Sequence, residues 1–131
     1  MKLRGGYSAI GLTPDVGGSW FVTRRAGAAR AKEIFLTNRP FNAEECLRIG
    51  LIDAVHPEDA LHAEALKLAH QLANGPADAQ ARIKSLIDHA HHRTLEQQLD
   101  AERDAMYTSG ESADGKEGVR AFIEKRAPKF G

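Results

Sequence analysis

The sequence predicts a mostly α chain with one or two short strands, organised like the closing part of a larger α/β fold. Three observations lead there. Apolar residues recur at helical spacing throughout the second half. Two capping boxes, Asn42 with Glu45 and Thr94 with Gln97, announce helix starts. Only Leu3–Ile10 and Leu51–Val55 have strand character, and one or two short strands do not make a stable sheet.

Taken in order, Leu3 to Ile10 reads as an edge-like strand at best, because Gly5 and Gly6 interrupt it. Gly11-Leu12-Thr13-Pro14-Asp15-Val16-Gly17-Gly18 is a turn-rich loop. Ser19 to Arg25 enters a short helix that ends near Gly27. Ala28 to Leu36 is Ala-rich and helical, and stops before Pro40. Asn42 caps a short helix whose C-terminal glycine is Gly50. Leu51 to Val55 is a strand candidate between Gly50 and Pro57.

Longer helices follow. Glu58 to Ala73 carries Leu61, Ala65, Leu68 and Leu72 on one face. Pro76 suits the first turn of a helix running to about His92, with Ala79, Ile83, Leu86, Ile87 and Ala90 as its stripe. Thr94 opens a charged helix to about Thr108, carrying Leu95, Leu99 and Met106. Ser112 caps the last helix, with Val119, Phe122 and Ile123 expected inward.

The 131 residues suit one ordinary domain, with 42% apolar and 27% charged residues. Eighteen basic residues balance eighteen acidic ones, which gives no electrostatic case for nucleic acid or an anionic membrane surface. No apolar run reaches the roughly 18 residues that a bilayer demands. Cys46 is the single cysteine and reads as a small buried apolar residue, so no internal disulfide forms. A cytoplasmic setting is the expectation. His89, His91 and His92 crowd one helix end, but their spacing makes them diverge, so no metal site is expected.

Four segments carry a resemblance: Ile10 to Trp20; Gly27 to Glu33 continued by Leu36 to Glu45; Arg48 to Val55; and Glu117 to Phe130. In order and spacing they resemble the crotonase, or enoyl-CoA hydratase/isomerase, superfamily. The resemblance implies the C-terminal part of a ββα spiral fold followed by a helical trimerisation region. Residues 1–56 would close the spiral core, with the glycine-rich active-site loop at 11–18. Residues 57–131 would form the helical oligomerisation region. It further implies a homo-oligomer, a trimer or a multiple of three, acting on an acyl-CoA thioester. Coenzyme A then enters as part of the substrate, and no separate cofactor is called for.

The family's chemistry stabilises a thioester enolate with two backbone N–H groups, while a carboxylate moves a proton or activates water. By the resemblance, both oxyanion N–H groups and the main CoA-binding loop lie upstream of this chain, so the isolated chain is expected to be inactive. In typical hydratases a glutamate sits four residues before the glycine that matches Gly11. Here that residue is Tyr7, and Gly6 replaces the usual proline, so a two-glutamate hydration mechanism does not fit. Asp15 sits where aspartate-type isomerases, such as epoxyphenylacetyl-CoA isomerases, carry their carboxylate. A lone carboxylate suits a 1,3-proton shuttle, although an Asp after Pro also serves turns for local reasons.

The same resemblance marks Gly17, Gly18 and Trp20 as substrate-binding, Trp20 as a wall of the acyl pocket or else as a core aromatic. The resemblance also implies that Phe122 and Lys125, three apart, reach the adenine end of a coenzyme A bound by a neighbouring subunit, where they suit a purine and a phosphate; otherwise they are a core knob and a solvated charge. Two functions follow: the C-terminal half of an enoyl-CoA isomerase/hydratase, or a non-catalytic oligomerisation module left from such a gene.

Overall fold

Residues 2–131 are described by a computed structural model, whose only sheet among them is a minimal one: β1 (Lys2–Leu3) pairs antiparallel with β2 (Phe41–Asn42), Leu3 opposite Phe41. The chain divides into two units, Met1–His62 and Ala63–Gly131.

In the first unit, a 3-10 turn (Tyr7–Ile10) follows β1 where the sequence suggested a continuing strand. Gly6 and Gly11 flank it with positive φ, which turns the backbone out of extended geometry after Leu3. Helix α1 (Gly18–Thr37) is broken at Gly27, whose φ of 80° and ψ of 159° separate the two helical stretches that the sequence predicts. A glycine reaches that conformation without the steric cost of a Cβ. Asn38 closes α1 in the left-handed region, which asparagine tolerates.

Helix α2 (Ala43–Arg48) starts with the expected capping box: Glu45 donates its backbone N–H to Asn42 Oδ1 at 2.8 Å, and Asn42 donates its own to Glu45 Oε2 at 3.0 Å. The core consists of Ile34, Phe41 and Cys46, flanked by Leu3, Val22, Phe35, Ile49, Leu51 and Ile52. Arg39 ties this core to its rim. Its guanidinium lies 3.6 Å from the Phe41 ring centroid and reaches Glu33 at 2.8 Å and Glu45 at 3.0 Å. The Glu33 carboxyl is held below its ordinary range by Arg30 and then Arg39; that of Glu45 by the Asn42 backbone N–H and then Arg39.

Leu51–Val55 is not a strand. The Leu51 N–H caps the Cys46 carbonyl at 2.9 Å, and Leu51 and Ile52 pack on the core as bends. A segment with strand character needs an open partner edge, and none stands beside it among the described residues.

Helix α3 (Glu58–Ala73) spans its predicted length and leads into the second unit. There α4 (Ala77–His89) continues into a 3-10 turn (Ala90–His92), α5 (Leu95–Glu111) opens on the Thr94–Gln97 capping box, and α6 (Ala113–Ile123) is capped by Ser112. Helix α4 packs on α5, and α5 on α6. Much of this apolar surface is uncovered: Ile83, Ile87, Leu99 and Met106 are exposed, and Ala121 is the one buried residue described in α6. Val119, Phe122 and Ile123, expected inward, point to solvent instead. The accessible surface is 10128 Å². Two separate compact bodies of half this mass would together expose about 8,200 Å². Exposed apolar side chains contribute to this surface, Leu12 and Val16 in the loop as well as those of the helices.

Candidate functional site

The loop at 11–18 is built between two anchored elements. On one side, Ser8 Oγ donates to the Phe35 carbonyl at 2.7 Å and accepts from Asn38 Nδ2 at 2.5 Å, which fastens the Tyr7–Ile10 turn to the end of α1. The Leu12 N–H then returns to the Tyr7 carbonyl at 3.0 Å. On the other side, the Gly18 N–H donates to the Asp15 carbonyl at 2.8 Å, and α1 begins. Between them Val16 and Gly17 both take positive φ, 50° and 77°. Gly17 suits its positive φ, and a Cβ there would sit 3.0 Å from the exposed Phe21 ring, which would have to shift slightly. Val16 is a β-branched residue in the left-handed region and is 91% exposed. Such a conformation persists only where the flanking structure imposes it.

This path brings Asp15 back over the preceding turn. The Tyr7 hydroxyl donates to Asp15 Oδ1 at 2.8 Å. The Tyr7 ring is half-buried and lies 6.1 Å from that of Phe35 at 59°. The hydrogen bond to Asp15, and then burial and the carboxylate's charge, raise the Tyr7 phenol above its ordinary value. A phenol held this way keeps its proton at neutral pH and acts as a donor. Asp15 itself is exposed, so its second oxygen is open to an approaching molecule.

Trp20 lies one turn into α1 and is 47% exposed. Its ring meets Phe21 edge-on at 4.8 Å and carries the Arg24 guanidinium over its face at 3.6 Å. It is thus a surface aromatic beside the loop. Gly18 has Pro14 and Phe35 in ordinary contact range of a Cβ position. Phe122 and Lys125 belong to the second unit, whereas Asp15, Gly17, Gly18 and Trp20 belong to the first. Phe122 is 85% exposed, and Lys125, also exposed, takes φ 53° just past α6. The Lys125 N–H bonds to the Phe122 carbonyl and the Arg126 N–H to that of Ala121, a helix stop that leaves both side chains free of the fold.

The second unit also holds a cavity of 710 Å³ between α4 and α5, walled by Ile83, Leu86, Ile87, Ala105 and Met106. Its walls are mainly apolar, with Arg82, His91 and Glu102 also on its lining. Among the described residues no three His, Cys, Asp or Glu side chains gather as metal ligands would. Tyr7 is a site residue that the sequence alone does not point to: it stands where a hydratase glutamate would, and its hydroxyl serves as a donor to Asp15. The available signal was Gly11, which turns the chain between them.

The enoyl-CoA hydratase/isomerase family model matches residues 6–131. The chain is 42% identical over 124 residues to a 1,2-epoxyphenylacetyl-CoA isomerase of Escherichia coli, covering 95% of this chain and 47% of that protein. It is 42% identical over 125 residues to a probable enoyl-CoA hydratase of Rhodobacter capsulatus, covering 95% and 48%. Among solved structures, an enoyl-CoA hydratase from Polaromonas sp. JS666 superposes with TM-score 0.88 at 38% identity, over 95% of this chain and 49% of the other. A putative enoyl-CoA hydratase/isomerase from Mycobacterium abscessus gives TM-score 0.94 at 31% identity, over 99% and 50%. The chain thus spans about half the length of the relatives it matches.

Proposed function

This chain belongs to the enoyl-CoA hydratase/isomerase family, and we propose that it forms the C-terminal half of an enoyl-CoA isomerase that acts on acyl-CoA thioesters by enolate stabilisation and carboxylate proton transfer. The observation that carries this reading is the exposed Asp15 carboxylate, held by Tyr7 in the loop ahead of α1. A phenol stands where the resemblance would put a hydratase glutamate. The loop therefore offers one carboxylate, which suits moving a proton between two carbons. Similarity to a protein named an epoxyphenylacetyl-CoA isomerase supports the isomerase side, and similarity to proteins named hydratases keeps hydration in the same chemical neighbourhood.

The thioester oxygen needs two N–H donors, which in the resemblance lie in the half that this chain does not span. The 131 residues alone therefore have negligible turnover in this reading, since losing even one such donor costs roughly 100- to 1000-fold. Gly17, Gly18 and Trp20 border the acyl group, and the exposed Phe122 and Lys125 serve the adenine end of a coenzyme A bound by a neighbouring subunit. A cytoplasmic setting fits the single, buried Cys46. The second reading, an assembly module without chemistry, rests on the uncovered apolar faces of α4, α5 and α6.

The test is product analysis with the chain supplied with the family's other half, as a fusion or a second polypeptide. A positionally shifted enoyl-CoA is the expected product. A 3-hydroxyacyl-CoA as the main product overturns the lone-carboxylate mechanism. No turnover from a well-folded assembly favours the assembly module.

A further inference from the structure

We infer that Tyr7 is a positioning residue for Asp15, dedicating one carboxylate oxygen to the fold and leaving Oδ2 as the oxygen that carries the proton. This rests on the reading of Asp15 as the proton carrier. The geometry begins with the fixed partner. Tyr7 stands in a turn whose neighbour Ser8 is bonded to both Phe35 and Asn38, and its ring lies beside Phe35. Its hydroxyl is therefore fixed relative to the second stretch of α1. The Asp15 side chain has no such anchorage of its own. It is exposed, its loop runs through two positive-φ residues, and among the described residues Tyr7 is its one side-chain hydrogen-bond partner.

Such a tether assists a shuttle. In the first half-step the C–H electron pair passes into the enolate and the proton goes to Oδ2. In the second, a π pair of the dienolate takes that proton from Oδ2–H at the other carbon, the oxyanion re-forms the thioester carbonyl, and the remaining π pair is the shifted double bond. Atoms and charge balance with no further reactant. Between the half-steps the carboxyl must stay aimed while its charge disappears, and a freely rotating Asp side chain would lose its aim. The Tyr7 hydroxyl donates to Oδ1 in both states, because Oδ1 remains an acceptor when Oδ2 is protonated. The raised phenol value fits this use, since the donor does not itself give up its proton.

The test uses the 131-residue chain and needs no turnover. Three-bond couplings to the Asp15 β-protons report its χ1 rotamer, and the Tyr7 ring carbon bearing the hydroxyl reports its titration. We expect a single Asp15 rotamer in the native chain and averaged couplings in Tyr7→Phe, which keeps the ring beside Phe35. We also expect the Tyr7 midpoint to move to lower pH in Asp15→Asn, which removes the charge but not the shape. Unchanged Asp15 couplings in Tyr7→Phe, or an unmoved Tyr7 midpoint in Asp15→Asn, overturns the inference, and the second variant serves if the first does not fold. Both readouts are independent of catalysis, so an inactive or unaffected enzyme would count against the proton-carrier reading alone.

Discussion

Arg126 grips Glu117 through two parallel hydrogen bonds, Nη1 to Oε1 at 2.6 Å and Nη2 to Oε2 at 2.9 Å, and so folds the C-terminal tail back onto α6. The Lys129 N–H adds a bond to the same carboxylate at 3.0 Å. These donors hold Glu117 down to about 2, from an ordinary value of 4.5. Because the folded value is the lower one, the clasp's contribution is fully present above about pH 4.5 and is lost as pH falls toward about 2. The Lys129 amide should remain protected from hydrogen exchange at pH 3 in the native chain and lose protection in Glu117→Gln. A Glu117 carboxyl carbon that titrates near 4.5 would contradict this.

Phe41 is 1% exposed beneath the Arg39 guanidinium, whereas Phe122 is open to solvent. Phe41→Ala should destabilise the first unit by about 3–5 kcal/mol, the cost of a large cavity in a small core. Phe122→Ala should stay within about 0.5 kcal/mol, as exposed substitutions do. Trp20 is the only tryptophan and lies in the first unit, so its fluorescence during urea unfolding reads the first effect directly. Equal losses in the two variants would contradict the burial pattern.

Self-association is the expected outcome of the uncovered apolar side chains, Ile10, Leu12 and Val16 in the first unit and Ile83, Ile87 and Met106 in the second. Surface of this kind marks interfaces, and a formal charge of zero offers no repulsion between copies. Light scattering at micromolar concentration should give a mass above that of one chain. A clean monomer is the contrary result.

What the sequence disclosed was local chemistry. The Asn42 and Thr94 capping boxes, the break at Gly27 and the Ser112 cap each depend on residues within one turn of each other, and each stands in the fold. Pairing across distance was not legible. Of Leu3–Ile10 only Leu3 pairs, opposite Phe41 in the two-residue β2, and Leu51–Val55 is not in the sheet. The α6 stripe was visible, but periodicity says which residues share a face and not what covers it. At the site, Asp15 emerged from its place in a recognisable loop. Its bond to Tyr7 did not, because it depends on how Gly11 and Pro14 bend eight residues of backbone.

The measurement that bears most directly on the account is the rate of double-bond isomerisation by Asp15→Asn, in an enzyme containing this chain and the family's other half. The amide keeps the size of the side chain and cannot carry the proton. The rate should fall by roughly 100-fold or more, the usual worth of a positioned general base, while Tyr7→Phe lowers it much less and circular dichroism stays unchanged in both. A near-native rate in Asp15→Asn, with Tyr7→Phe inactive, would contradict the account and leave Asp15 as a residue of the turn.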